Sequence, residues 1–413
     1  MRLPISPQVR RALVALTATA AAAGAAVVPA SASGHPATPP KSPPPGAPGA
    51  PAKKEPPAGM SQAGGARLGQ PGDQLGPGAP ALPPGLSALS WVVADADTGQ
   101  VLGARNAHWP LPPASTLKML FADTVLPAVP HDASRTVSDE DLKGMGGGSS
   151  AVGIVPGQTY KAPDLWRGVF LRSGNDAVHV LAAMNGGVGK TVADMQRKAE
   201  ELGAKDTHVL SPDGYDAPGQ VSSAYDLTLF LRSGLKNRDF TEYCGTASAD
   251  FPGGPNTKGK PFGISNTNRM LSGIDGVAKY PGLIGGKNGY TTNAGNTLAE
   301  AARRDGHTIL VTVMNPQENK HDKVYTEMRQ LLDWGFSAAG RAQPVGTLDT
   351  QAPAAAGSGK GASASGDAAG PGDDGIGTLG WAGIGAAVVA AGGAGVLVLG
   401  RRRRVRAQRG RGV

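Results

Sequence analysis

Hydrophobic and polar positions divide the chain into a patterned middle and two sparse flanks. Residues 88–94 (Ala-Leu-Ser-Trp-Val-Val-Ala) make an apolar, strand-like run, 95–99 (Asp-Ala-Asp-Thr-Gly) carry turn chemistry, and 100–105 resume a strand. That pattern predicts a β-hairpin. A Pro-Pro pair followed by the apolar run Leu117, Met119, Leu120 and Phe121 then predicts a helix whose first turn holds Ser115. From about 135 to 244 helical periodicity dominates, with helices expected over 162–171, 177–184 and 191–202 and a Gly-rich loop at 144–148. Strands return at 282–289, 296–302 and 307–314. Val324, Met328, Leu331 and Leu332 then follow the i, i+4, i+7, i+8 stripe of a last helix that ends near Gly335. This order predicts an α/β (α+β) domain over 85–340 with an inserted all-α subdomain.

The flanks read differently. Arg2, Arg10 and Arg11 lie around the start of an apolar stretch at 12–28, and Ala30-Ser31-Ala32 follows, so residues 1–33 read as an export signal peptide. Residues 34–84 are rich in Pro, Ala and Gly with almost no large apolar side chains, which predicts a disordered linker. Residues 341–375 form a second, Ala/Gly/Ser-rich linker. The stretch 376–400 carries no charge and runs into Arg401-Arg402-Arg403-Arg404, which predicts a single transmembrane helix with a basic cytoplasmic tail at 401–413. The folded middle would then sit outside the cell, tethered to the membrane.

Composition removes several alternatives. Much of the 62 Gly and 35 Pro of the 413 residues falls in the flanks. The formal charge of +8 owes much to the C-terminal arginines, so no nucleic-acid partner is indicated. A single cysteine, Cys244, excludes an intramolecular disulfide and reads as a small buried apolar residue. The histidines are scattered, with no His-x-x-x-His pair and no Cys/His cluster, so neither a metal nor a cofactor is expected.

The candidate chemistry lies in three stretches. Ser115 and Lys118, three apart, share one face of a helical turn, where a lysine kept neutral by burial can take the proton of a serine nucleophile. Alone, Ser-x-x-Lys is also what an ordinary capping serine beside a solvated lysine looks like. Arg172-Ser173-Gly174-Asn175-Asp176-Ala177 places a second hydroxyl and a carboxamide at a junction between helices. Gly285-Gly286-Lys287-Asn288-Gly289-Tyr290-Thr291-Thr292 is a strand whose glycines allow close backbone approach and whose lysine offers a cation.

In this order, Ser115-x-x-Lys118, Ser173-Gly174-Asn175 and Lys287-Asn288-Gly289 resemble the three motifs of penicillin-binding proteins and serine β-lactamases. Within that group the chain is most similar to the low-molecular-weight D-alanyl-D-alanine carboxypeptidases, over about 88–336, including the context Ser211-Pro212-Asp213-Gly214 and Asn266-Thr267-Asn268. The resemblance implies a β-lactamase/DD-peptidase-like fold, a mostly antiparallel sheet flanked by helices beside an all-α subdomain. It implies that Ser115 is acylated, that Lys118 is its base, that Ser173 relays a proton and that Asn175 holds the peptide amide. Lys287, with Asn288, Gly289 and Thr291 on its strand, would bind the substrate's terminal carboxylate, and Lys287 would help depress the pKa of Lys118. The Ser115 N–H and one just past Gly289 would form the oxyanion hole. The partners implied are peptidoglycan stem peptides ending in D-Ala-D-Ala, and β-lactams as covalent inhibitors. Asn288 stands where the family usually has threonine. A serine β-lactamase is the enzymatic alternative, but no Glu-x-x-x-Asn pattern follows Asn175 to activate a deacylating water. A catalytically impaired wall-binding or β-lactam-sensing homologue is the alternative from another class.

Overall fold

The computed structural model describes residues 55–318 and 322–349. The export signal, the transmembrane stretch and the basic tail lie outside the described residues, and among the described residues no helix is long and apolar enough to cross a membrane.

Strand β1 (Asp73–Leu75) precedes the hairpin of β2 (Ala88–Asp95) and β3 (Gln100–Arg105). Its turn closes as the sequence suggests, with the Asp95 carboxylate accepting the Thr98 N–H at 2.8 Å and hydroxyl at 2.9 Å. A 3₁₀ turn (Ala114–Leu117) runs directly into α1 (Lys118–Val125). The helical subdomain follows: β4 (Ser134–Thr136), β5 (Thr159–Lys161), α2 (Ala162–Leu171), α3 (Asn175–Met184), α4 (Val188–Glu201), α5 (Ala224–Gly234) and α6 (Arg238–Gly245). The chain returns through β6 (Ser248–Phe251), β7 (Phe262–Ser265) and α7 (Arg269–Ser272) to β8 (Leu283–Thr291), β9 (Gly295–Arg304) and β10 (His307–Pro316). It ends with α8 (Lys323–Ala338) and β11 (Gly346–Thr347).

The main sheet has the order β1-β3-β2-β10-β9-β8 with β11 also on β3, and every pairing is antiparallel. Both faces are covered, so β2 and β10 lack the polar alternation of a half-exposed strand. On one face Trp91, Val93, Ile309, Val311 and Val313 meet Val324, Met328, Leu331 and Leu332 of α8. On the other, Val92, Ala94, Leu310 and Met314 join the core that contains α1, α5 and the subdomain. Each large apolar side chain so buried contributes about 1.5–3 kcal/mol. In the subdomain Trp166 packs 5.4 Å from Phe121 and Phe170 lies edge-on to Phe240 at 5.3 Å, which fixes α2 against α1 and α6. Cys244 is fully buried on α6, and burial pushes its thiol pKa up.

Three expectations change. The stretch 55–84, read as part of a disordered linker, is a strap laid on the sheet. Leu68 is fully buried, Asp73 to Leu75 pair with Arg105 to Gly103, and Asp73 receives both forks of the Arg105 guanidinium at 2.6 Å. The strap has few apolar residues, but β3 offers it a ready edge, so main-chain bonds supply what local hydrophobicity lacks. His108 fastens it further: its ring nitrogens lie 2.6 Å from Asp206 Oδ2 and 2.9 Å from the Ala63 carbonyl. These are the nitrogens that a cation held by His108, Asp206 and Asp226 would need. At the other end the domain runs past 340, since Val345 and Leu348 are buried and β11 pairs with β3. Ser115, finally, sits in a 3₁₀ turn, and the α-helix begins at Lys118.

Candidate active site

The turn that carries Ser115 is shaped from outside. Ala114 has a left-handed φ of 49°, and a Cβ on Gly214 would lie 2.0 Å from the Ala114 carbonyl oxygen. A Cβ on Gly289 of β8 would lie 2.7 Å from the Ser115 nitrogen, so only glycine lets that strand run against the Ser115 amide. The expected oxyanion-hole strand and the nucleophile's N–H are thus adjacent.

Lys118 is completely buried, and its Nζ meets Ser115 Oγ at 2.8 Å, Asn175 Oδ1 at 2.7 Å and the Asp213 carbonyl at 2.7 Å. Two of these partners can only accept, while the serine hydroxyl can donate. A neutral amine has two N–H bonds for the acceptors and one lone pair, which is left for the Ser115 proton. Burial pushes the Lys118 pKa down to about 8, against the opposing pull of the Asp213 and Asp176 carboxylates. Burial, as expected, is therefore the cause that lowers it, and the further help expected from Lys287 does not figure beside it. Conversely, Lys287 is held well below the usual lysine value, first by burial and then by the charge of Lys118.

The aromatic packing of α2 sets up the second motif. Ser173 lies at the α2–α3 junction with φ 55°, buried, and its Oγ has no hydrogen-bond partner among the described residues. A strained backbone of this kind costs about 1–3 kcal/mol and an unpaired buried hydroxyl about as much again. The next turn is rigid, because the Asp176 carboxylate accepts the N–H groups of Val152, Gly153, Ile154 and Ala177 at 2.8–3.0 Å. Asn175, between them, delivers its amide oxygen to Lys118.

On β8 the lysine is buried and its Nζ donates to the Asn288 carbonyl at 2.7 Å and to Asn288 Oδ1 at 3.2 Å. The Asn288 side chain turns to Thr267: Oδ1 accepts the threonine hydroxyl at 3.1 Å, and Nδ2 donates to the threonine carbonyl at 3.4 Å. Thr291 closes the β8–β9 turn by accepting the Ala294 N–H at 3.1 Å. Ser115, Lys118, Asn175 and the β8 backbone at Gly289 are brought together, while the Thr291 hydroxyl accepts a bond within its own turn and keeps its O–H as a donor.

Sequence reasoning noted Asp213 only as part of the Ser211–Gly214 stretch and gave no role to its backbone carbonyl, which touches Lys118, and it missed Glu300. The latter is fully buried on β9, accepts Asn268 Nδ2 at 2.5 Å and is pushed up to about 8 by burial. An acid amid the apolar positions of a central strand was the available signal.

Residues 78–318 match the D-alanyl-D-alanine carboxypeptidase peptidase family. The chain is 38% identical over 264 residues to the D-alanyl-D-alanine carboxypeptidase DacB2 of Mycobacterium tuberculosis, covering 63% of this chain and 86% of that protein. It is 30% identical to DacF of Bacillus subtilis over 60% of this chain, spanning 62% of that relative's own length. Among solved structures, a D-alanyl-D-alanine carboxypeptidase of M. tuberculosis superimposes with a TM-score of 0.59 at 35% identity, over 66% of this chain and 99% of that one. A Streptomyces DD-transpeptidase gives 0.55 at 25% identity, over 62% of this chain and all of that one. A match across most of the folded region, on a sheet-and-subdomain frame with a serine poised against a buried lysine, makes this chain a member of the D-alanyl-D-alanine carboxypeptidase family of serine peptidases.

Proposed function

We propose that the protein removes the terminal D-alanine from peptidoglycan stem peptides through an acyl-enzyme on Ser115. The observation that carries this reading is Lys118 Nζ, 2.8 Å from Ser115 Oγ with its other two partners fixed as acceptors. Ser115 Oγ attacks the carbonyl carbon of the penultimate D-alanine as its proton passes to Lys118. The Ser115 N–H and an N–H of β8 just past Gly289 hold the oxyanion. Collapse breaks the peptide bond, and the leaving amine takes a proton through Ser173, whose unpartnered hydroxyl is free for that bond. Lys287 receives the substrate's C-terminal carboxylate. Water then attacks the ester and regenerates Ser115. A β-lactam carbonyl enters the same first step and leaves a penicilloyl ester.

Incubating the protein with a peptide ending in D-Ala-D-Ala and measuring free D-alanine tests the reading directly. Release supports it, and penicillin hydrolysis without peptide cleavage would favour the β-lactamase alternative. That alternative lacks the expected Glu-x-x-x-Asn pattern.

Asn288 gives a finer test. Its Oδ1 faces Thr267 and Lys287, so it occupies the Lys287 Nζ that the substrate carboxylate needs. Asn288→Thr removes this competitor and supplies a compact hydroxyl. A hydrogen bond to a charged group is worth about 1.5–3 kcal/mol, so kcat/KM for D-alanine release should rise by up to roughly one to two decades. A slower variant would mean that the Asn288 clamp holds Lys287 in its working position.

The enzyme acts outside the cell in this reading, on the strength of the leader at 1–33 and the charge-free stretch at 376–400 ahead of the arginine block. Deleting residues 376–413 should release active enzyme into the medium. A truncated protein that still fractionates with membranes would locate the anchor elsewhere.

A further inference from the structure

The buried acid of β9 has no place in the three motifs. Glu300 is fully buried and pairs across the sheet with Gly286, one residue before Lys287 on β8. Its Oε1 accepts Asn268 Nδ2 at 2.5 Å. Its Oε2 has no hydrogen-bond partner among the described residues, and neither has Oδ1 of the same asparagine, which is 1% exposed. Two side chains joined by one bond thus each carry a stranded acceptor, a costly arrangement in a dry interior. One proton on Glu300 Oε2 answers both, because an acid and an amide can close a ring of two bonds, N–H to Oε1 and O–H to Oδ1. Burial favours that proton and pushes Glu300 up to about 8, while the Asn268 bond and the Lys287 charge pull the other way.

The asparagine belongs to a loop that ties the two sides of the site together. Its neighbour Thr267 donates its N–H to the Leu171 carbonyl at 2.8 Å, two residues before Ser173, and its hydroxyl to Asn288 Oδ1 at 3.1 Å on β8. Asn268 N–H is itself held at 2.9 Å by Asn266 Oδ1. We propose that Glu300 is a positioning residue: as a neutral acid it closes the ring with Asn268 and pins the 266–268 loop, which aligns the end of α2 that carries Ser173 with the strand that carries Lys287. An acid that keeps its proton suits this place. An ionised Glu300 would set a negative charge near the lysine that is to receive the negative charge of the substrate. The alignment rests on the roles given above to Ser173 and Lys287, whereas the ring itself does not.

The ionisable groups on the surrounding elements are neutral or engaged. Lys287 of β8 donates to Asn288. Burial first, with Glu300 adding to it, pushes Tyr325 of α8 up to about 12 and raises the Cys244 thiol of α6, so both keep their protons. Arg269 of α7 pairs with Asp322, and along α8 Lys323 meets Glu318 and Glu327, Arg329 lies over the Tyr280 ring and Asp333 takes Arg304 of β9. On α5 Asp226 accepts the Thr207 hydroxyl and Arg232 holds Asp349, and on β10 His307 meets Asp95. The turn at 114–117 has no ionisable side chain except the Ser115 and Thr116 hydroxyls.

The test is urea unfolding of the full-length protein from about pH 5 to about pH 9 in wild type, Glu300→Gln and Glu300→Leu, with D-alanine release measured on the same samples. A group whose native pKa is raised gives its full stabilisation below the unfolded value and loses it as pH climbs to the native one. Against either variant, wild type should therefore lose up to about tenfold in its folding equilibrium constant per pH unit between 4.5, the ordinary glutamate value, and about 8. The glutamine amide reproduces both bonds of the ring, so Glu300→Gln should match wild type at about pH 5, whereas Glu300→Leu strands Asn268 and starts lower. Glu300→Leu should also lower kcat/KM roughly tenfold, as misalignment of a site does, and Glu300→Gln should restore it. A stability difference that does not change with pH would mean an ionised Glu300 and overturn the ring. A Glu300→Gln as slow as Glu300→Leu, or a Glu300→Leu with wild-type kcat/KM, would overturn the positioning role. If Glu300→Gln does not fold, the pH slope of Glu300→Leu decides alone, and a flat one overturns the proposal. A wild type that releases no D-alanine would sink the proposed activity, and the pH slope would still decide the ring.

Discussion

Ser115→Ala should leave a folded protein that releases no measurable D-alanine, with a loss on the order of 10⁶ in turnover, the scale seen when a serine peptidase loses its nucleophile. The fold should be indifferent to the change. The hydroxyl's recorded partner is Lys118 Nζ, which keeps Asn175 and Asp213 as acceptors, and Ser115 is not part of the packed core. An unchanged melting temperature together with lost activity is the expected signature. Residual turnover within about tenfold of wild type would move the nucleophile elsewhere.

Lys118→Ala should cost about 10²- to 10⁴-fold in acylation, the usual worth of a general base. This variant should also be less stable. It strands the Asn175 amide oxygen and the Asp213 carbonyl, each at about 1–3 kcal/mol if water does not reach them. Rate and melting temperature must therefore be read together, with acylation measured well below the unfolding range. The wild-type pH profile supplies the complementary check. Below its pKa the lysine is an ammonium with no lone pair for the Ser115 proton, and above it the amine is competent. With the pKa lowered to about 8, acylation should rise with pH through that value and fall about tenfold per unit beneath it. A profile flat from pH 6 to 9 would show that a different group accepts the proton.

Much of this site was legible because its signals are local. Ser115 and Lys118 meet through spacing within one turn, and α2 occupies 162–171 as expected, bounded by Pro163 near its start and Ser173-Gly174 after its end. The hairpin declared itself through Asp95 and Thr98, whose side chains close the turn. What was not legible depends on distant partners or on backbone atoms. Asp213 acts on Lys118 partly through a carbonyl, which every residue has, so no side-chain pattern announces it. The orientation of Asn288 follows from Thr267, on a separate segment 21 residues earlier. The 3₁₀ turn at Ser115 lies against Gly214 and against Gly289 of β8, both distant in sequence, and only their lack of a Cβ permits the approach. The strap at 55–84 is held largely by main-chain pairing to β3, and low apolar content hides that.

The central claim is a covalent ester at one serine. Treating the protein with benzylpenicillin, quenching in acid and mapping the adduct by peptide mass spectrometry should place one penicilloyl group per chain on the peptide that contains Ser115, and none in Ser115→Ala. An adduct on Ser173 or another side chain, or labelling that survives in the alanine variant, would contradict it.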